Sequence, residues 1–277
     1  MGRRARLDAE LVRRGLARSR AHASELIAQR RVRIGGATAT KPATGVDADT
    51  PLLVRAVDND PHWVSRGARK LLGALDGLTA GGPSVAGRRC LDAGASTGGF
   101  TDVLLRRGAR EVIAADVGYG QLAWALRTDE RVQVHDRTNV RTLRPEAIGG
   151  AVDLTVADLS FISLRLVLPA LVSCTRPEGD LLPMVKPQFE VGRGRLGAGG
   201  VVRDPLLRAQ AMLDVLAVAA NLGLCLLDAT ASPLPGPSGN VEYFLWLRHG
   251  CHGLHAVPDP PRPAEELVHA AVRRGPQ

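Results

Sequence analysis

"RRCLDAGASTGGF", residues 88–100, decides the fold. Its first half is a short apolar run that ends in Asp92. Its second half is a loop carrying Gly94, Gly98 and Gly99, and it opens into the helical pattern "GGFTDVLLRRG". Strand, glycine loop and helix start form a ligand-binding turn, because glycine lets the backbone come close to a bound group. In open α/β sheets such ligands sit beyond the strand C-termini, where the strand order switches. Asp116 ends the next apolar run, "REVIAADVG", and a carboxylate there can accept hydrogen bonds from a ribose. The loop lacks the GxGxxG spacing of dinucleotide sites, and Asp92 would repel a pyrophosphate while suiting the cationic end of S-adenosylmethionine. The expected cofactor set is therefore Asp92, Gly94, Ala95, Ser96, Thr97, Gly98, Gly99, Phe100, Asp116 and Asp158. A NAD site and a tight turn without a ligand remain as alternatives.

Working outward, "VDLTVADLS", "GDLLPMVKP", "LCLLDAT" and "VEYFLWLR" read as further strands. Helices are expected over "YGQLAWALR", Ser163–Val172 and "PLLRAQAMLDVLAVAANLG". Continuous apolar strands alternating with helices predict a mostly parallel sheet covered on both faces. Residues 1–55 carry 12 Arg and Lys against 5 Asp and Glu, leaving 24 against 23 for the remainder of a chain whose net charge is +8. A basic unit beside a nearly neutral one suggests a polyanion-binding module, although a solvated basic surface has the same composition. In that unit two short helical patterns are separated by Gly15, which suits a left-handed helix end, and Ser19 can cap the second. "RVRIGG" and "PLLVRAV" read as short strands. The expected division is 1–59 for the basic unit, 60–64 for a linker, 65–250 for the α/β domain and 251–277 for a tail with one short helix. Trp63 is expected to pack where the two domains meet.

Of 36 basic residues only Lys41, Lys70 and Lys186 are lysine. Arginine stays protonated at any working pH, whereas lysine can give up a proton in a desolvated or cationic setting. Lysines kept in an arginine-rich chain are candidates for proton transfer. Lys186 follows a buried strand, Asp158 ends the preceding one, Lys70 lies just before the first and Glu242 opens the last. All four fall on the ligand edge, where they can satisfy one another; taken singly, each also reads as a surface ion pair.

"RLDAELVRRGLARSRAHASELIAQRRVRIGG" followed by "TKP" resembles the S4 RNA-binding domain, with Arg30 where the family usually has glycine and Gly35 where asparagine is common. Lys70, Asp158, Lys186 and Glu242 occur in the order of the K-D-K-E tetrad of FtsJ-type ribose 2′-O-methyltransferases. "RGARKL", "DVGYGQL", "ADLSFISL", "VKPQFEVG" and "SPLPGPSGNVEYF" look like the TlyA, or hemolysin A, family, and the resemblance covers nearly the whole chain. It implies a class I S-adenosylmethionine-dependent methyltransferase, Rossmann-like and seven-stranded, with a small α+β S4 domain at its N-terminus. It implies 2′-O-methylation of cytidine in 16S and 23S ribosomal RNA. In the expected mechanism Lys186 is the proton acceptor, Lys70 lowers its pKa, and Asp158 and Glu242 orient the lysines and the hydroxyl. The expected RNA contacts are Arg4, Arg6, Arg18, Arg20 and Arg66.

The glycine-rich basic stretch 192–204 is expected to be either a mobile lid or a plain connection. Aromatic residues make up 3% of the chain, which argues against a stacking platform. No apolar run is long enough to span a bilayer, and no signal peptide or metal-ligand spacing is seen. Four cysteines without CxxC spacing read as buried reduced thiols in a cytoplasmic protein, expected to be a monomer. The rivals are a non-enzymatic ribosomal-RNA-binding protein, a pore-forming haemolysin and an S4-bearing pseudouridine synthase, the last opposed by the glycine loop.

Overall fold

The computed structural model describes residues 4–17, 19–47, 49–55, 63–78, 82–250 and 263–275. The chain divides into two compact units, Met1–His62 and Trp63–Gln277.

In the first unit the elements are β1 (Ala5–Arg6), α1 (Leu7–Arg13), α2 (Arg20–Ala28), β2 (Val32–Ile34), β3 (Ala37–Thr38), β4 (Gly45–Val46) and β5 (Leu52–Val54). β1 pairs with β4, and β2 is flanked by β3 and β5. Leu7, Leu11, Ala23, Leu26, Ile27 and Val32 form its core. Gly15 adopts φ +69°, as a helix end requires, and Ser19 Oγ accepts from the His22 amide at 3.2 Å. Gly35 and Gly36, both at positive φ, make the two-residue turn between β2 and β3. Arg30 stands at φ +57° directly after α2, so the departure from glycine noted in the sequence sits at a left-handed position.

The second unit holds α3 (Gly67–Gly77), β6 (Arg89–Ala93), α4 (Gly99–Arg106), β7 (Glu111–Ala115), α5 (Trp124–Arg127), β8 (Val132–His135), β9 (Val152–Ala157), α6 (Leu168–Ser173), β10 (Thr175–Val185), α7 (Pro187–Glu190), α8 (Pro205–Asn221), β11 (Leu224–Ala231), β12 (Tyr243–His249) and α9 (Ala264–Arg274). Seven strands form one sheet in the order β11-β12-β10-β9-β6-β7-β8. The strands from β8 to β10 are parallel, while β12 runs antiparallel to both neighbours. The order switches between β6 and β9, which places the ligand edge at Ala93 and Ala157. Successive residues face opposite layers: Cys90 packs with α3 and α4, while Leu91 packs with the layer that contains α6, α8 and α9. Trp63 packs under the Arg106 guanidinium, 4.3 Å from its ring centre, within this unit.

Several elements differ from expectation. β8 is an edge strand whose short "VQVH" run carries too little apolar signal to be read as a strand. The helix expected over 163–172 is a 3₁₀ turn, Leu164–Leu166, followed by α6, and the helix expected over "YGQLAWALR" is reduced to the four residues of α5. The α9 helix, read as part of a tail, buries Leu267, Val268, Ala271 and Val272 and packs on β11 and α8. Cys90 and Cys174 are buried free thiols, but Cys225 is disulfide-bonded, contrary to expectation; sequence spacing carried no sign of that pairing. Among the described residues no helix is long and apolar enough to cross a membrane.

A left-handed backbone costs an L-residue about 1–2 kcal/mol, part of which glycine returns as unfolded-state entropy. Arg30→Gly is therefore expected to stabilise the first unit by about 0.5–1 kcal/mol. Hydrogen exchange on the full chain checks this: the most protected amides of α2 and β2 should slow by about two- to five-fold.

Candidate active site

The glycine loop is shaped by two approaches of the backbone. Asp158 donates its amide to Ala93 O at 3.0 Å, which draws the end of β9 onto the end of β6. A Cβ on Gly94 (φ +88°) would lie 2.5 Å from the Asp158 carbonyl oxygen, so only glycine fits. Gly99, the first residue of α4, likewise has no room for a side chain against Ser65 and the Ala68 amide of α3. Asp116 then ties the loop to β7. Its Oδ2 accepts from the Ser96 amide at 2.9 Å and its Oδ1 from the Gly118 amide at 2.7 Å. Each oxygen keeps a further lone pair for a ribose hydroxyl.

Three cavities meet at this edge and share Ser160. One of about 580 Å³ runs past Gly94, Ser96 and Asp116 to Val117, Asn139, Leu159 and Ile162. A chamber of about 350 Å³ is lined by Gly94–Thr97, Gly99, Phe100, Arg66, Lys70, Asp158 and Lys186. The third, about 650 Å³, holds Lys186, Glu242, Gln188, Phe161 and Phe189. The first two suit S-adenosylmethionine by their chemistry: apolar walls for an adenine, a carboxylate beside the ribose position, glycine backbone, and the Asp158 carboxylate facing a cationic group.

The four tetrad residues are brought together as two ion pairs. Lys70, on α3 and 4% exposed, bonds through Nζ to Glu242 Oε2. Lys186, at the end of β10 and 8% exposed, pairs with Asp158 Oδ1 at 2.6 Å. Glu242 Oε1 is buried without a hydrogen-bond partner among the described residues. Glu242 reaches this edge because β12 is reversed, so the residue before its start lies beside the ends of the parallel strands.

Asp92 is different. It is fully buried, lines none of these three cavities, and accepts from Thr101 Oγ1 of α4 at 2.7 Å, with Oδ1 unpartnered. Asp92, expected at the cofactor, sits beneath the loop. Burial foremost, with the nearby carboxylates of Asp158 and Asp116 adding to it, pushes its pKa up to about 7. Gly98, also outside the cavities, sits at φ +97° before α4, where Leu122 and Leu126 leave no space for a Cβ.

The arginines expected on RNA fall into two places. Arg6 and Arg20 both bond to Asp8, Arg6 through Nη2 at 3.1 Å and Arg20 through Nη2 at 2.9 Å. Asp8, held down to about 2 by the Arg6 hydrogen bond foremost, fixes two half-exposed guanidinium groups side by side. Arg4 pairs with Asp47 at 3.5 Å. Arg66 instead lines the chamber beside Lys70. Arg18 lies outside the described residues.

Sequence reasoning missed three features. Ser160 Oγ accepts from Lys186 Nζ at 2.8 Å. Phe161 is 91% exposed at φ +65°, its ring 5.3 Å from that of Phe189. A small aromatic count therefore conceals a pair of rings at the mouth of the third cavity, because composition reports number and not placement. Asn240 pins the 192–204 stretch, accepting from the Val202 amide at 2.9 Å and donating to Gly200 O at 3.0 Å, while Val191 and Val202 pack against Ala211. This stretch is built into the wall rather than hanging as a loose lid.

Comparison with known proteins agrees with the geometry. Residues 63–249 match the FtsJ-like methyltransferase family and residues 5–50 the S4 domain. The chain is 61% identical, over the full length of both, to the 16S/23S rRNA (cytidine-2′-O)-methyltransferase TlyA of Mycobacterium tuberculosis. It is 42% identical to the candidate rRNA methyltransferase YqxC of Bacillus subtilis, over 87% of this chain and 85% of that one. A solved structure of a candidate hemolysin from Streptococcus thermophilus superposes with a TM-score of 0.74 at 33% identity, covering 98% of this chain and 95% of that chain.

The raised Asp92 pKa makes a stability prediction. The folded state binds a proton that the unfolded state releases near pH 3.8, so stability should fall as pH rises from about 4 to 7 and level off above. Asp92→Asn should flatten that slope in the cofactor-free protein and raise stability at pH 8 by roughly 2–4 kcal/mol. Denaturant midpoints across pH test it.

A glycine loop at the β6/β9 switch, two lysine–carboxylate pairs beside it and a basic N-terminal unit accord with these matches: the chain belongs to the FtsJ-like methyltransferases that carry an S4 domain, in the TlyA family.

Proposed function

We propose that the chain methylates the ribose 2′-hydroxyl of cytidine in 16S and 23S ribosomal RNA, in the cytoplasm. The observation that carries this reading is the pair of lysine–carboxylate bridges beside the glycine loop, Lys70–Glu242 and Lys186–Asp158, of which Lys70, Lys186 and Asp158 line the chamber and Glu242 the cavity next to it. The full-length relative in Mycobacterium tuberculosis supports the substrate, and the basic S4 unit supports an RNA partner.

S-adenosylmethionine supplies a methyl group already activated by a positively charged sulfur. Gly94–Thr97 and Asp116 would hold it, and Asp158 would offer its carboxylate to the cationic part. The residues of the chain have two tasks, to place the hydroxyl and to remove its proton. Lys186 Nζ first gives one of its own protons to solvent, favoured by the second cation Lys70 nearby, and as a neutral amine takes the proton of the hydroxyl: the O–H bond breaks, an N–H bond forms, and the oxygen's electron pair is left for the transferred carbon. Arginine could not do this, since it does not give up its proton. Lys70 brings a second positive charge to the chamber, and Glu242 Oε1 is the open acceptor for a ribose hydroxyl. Phe161 and Phe189 offer the base an apolar face, which orients a nucleotide without reading the RNA backbone. Much of the acceleration comes from this positioning.

The test is transfer of labelled methyl to separated ribosomal subunits. Wild-type protein should place label in an alkali-resistant nucleotide. Lys186→Ala and Lys186→Arg should each lower kcat by at least about 100-fold, the scale of lost proton transfer. Full activity in Lys186→Arg, or label on a base instead of a ribose, would overturn the reading. Binding of the same subunits should weaken steeply with salt, and Arg6→Ala or Arg20→Ala should each lower the slope of log K against log salt by about 1.

A further inference from the structure

Ser160 is the one residue common to all three cavities, and its hydroxyl is bonded to the lysine at their junction. Resting on the proposed role of Lys186, we infer that Ser160 is a positioning residue that gives the base its direction.

The reasoning begins with the shape of an amine. Nζ of lysine has one bond to carbon and three tetrahedral positions left. In the neutral form two of these are N–H bonds and one is the lone pair that receives the proton. Asp158 Oδ1, at 2.6 Å, takes one N–H. With that acceptor alone the amine can turn about its last carbon–nitrogen bond, and the lone pair occupies either remaining position. Ser160 Oγ, at 2.8 Å, takes the second N–H. Two acceptors then leave a single position for the lone pair. Once the proton has arrived, the same two acceptors keep the ammonium in place, so no rearrangement separates the two states.

The surroundings hold Ser160 there. On one side the Asp158 amide is bonded to β6. On the other, Phe161 is in the left-handed region, a strained conformation for a residue with a side chain. Beyond it Glu190, buried, accepts from Ser163 Oγ at 2.5 Å and the Leu164 amide at 2.7 Å, which clamps the following turn to α7. The hydroxyl is therefore carried by backbone tied at both ends. Ser160 itself is exposed, so Ser160→Ala removes an acceptor without opening the core.

The experiment measures steady-state methyl transfer to ribosomal subunits, together with calorimetric binding of S-adenosylmethionine, for the full chain. Ser160→Ala should lower kcat by about 10- to 50-fold, a fraction of the loss from removing the base. KM for the subunit and the affinity for S-adenosylmethionine should stay within about two-fold, and Ser160→Thr, which keeps the hydroxyl, should recover activity to within about three-fold. In a Lys186→Ala background Ser160→Ala should cost nothing more, since there is no amine left to orient. Wild-type kcat in Ser160→Ala, an equal loss in both backgrounds, or a loss that lies in cofactor affinity instead of kcat would each overturn the inference while leaving the role of Lys186 standing. Full activity in Lys186→Ala alone would remove the base, and the inference with it.

Discussion

The site depends on one close contact: the end of β9 laid against the end of β6, with the Asp158 amide bonded to Ala93 and no room for a side chain on Gly94. That approach does two things at once. It turns the glycine loop so that its backbone faces the cavities, and it sets Asp158 where a carboxylate meets both Lys186 and the cofactor space. A side chain at residue 94 would push the two strand ends apart and separate the loop from the tetrad. Binding and chemistry are thus coupled through backbone geometry more than through any single side-chain bond.

The second constraint is electrostatic. Two largely buried lysines and two carboxylates at one sheet edge would be costly if any one lacked its partner, and the pairing removes most of that cost. Pairing alone would give an inert structural site. Here each pair is left open by one group: Glu242 keeps an unpartnered oxygen, and Lys186 keeps one position beyond Asp158 and Ser160. The contrast with Asp180 is instructive. That buried carboxylate accepts from Trp246, Arg88 and Arg248 in the middle of β10, is saturated by them, and faces none of the three cavities. Charged pairs serve stability within the strand and reactivity just past its end, according to whether a position is left unfilled.

Much of this was legible in the residues. The strand–loop–helix start at 88–100, the lysines kept in an arginine-rich chain, the left-handed Gly15 and the Ser19 cap all follow from local rules that the fold respects. What was not legible depends on contacts distant in sequence. Asp92 looked like a ligand contact because it borders the loop, but only the packing of α4 reveals that it faces Thr101. Ser160 carries no distinguishing pattern until Lys186, 26 positions on, bonds to it. Phe161 and Phe189 were discounted through a composition average, and 192–204 was read as loose because its glycines are local while Asn240, which holds it, is not. Edge strand β8 was hidden by its weak apolar signal, and cysteine spacing gave no sign of the disulfide at Cys225.

The reversed strand β12 has a consequence for how the protein comes into being. Because β12 enters the sheet late in the chain and lies between β10 and β11, Glu242 reaches Lys70 only after nearly the whole polypeptide has been made. The basic S4 unit, by contrast, has all its strands by Val54. During synthesis on a ribosome, a segment suited to RNA emerges and can fold first, as N-terminal domains do. The catalytic chamber stays open on one side until the last strands insert. A nascent chain is thereby able to meet RNA before it is able to modify it.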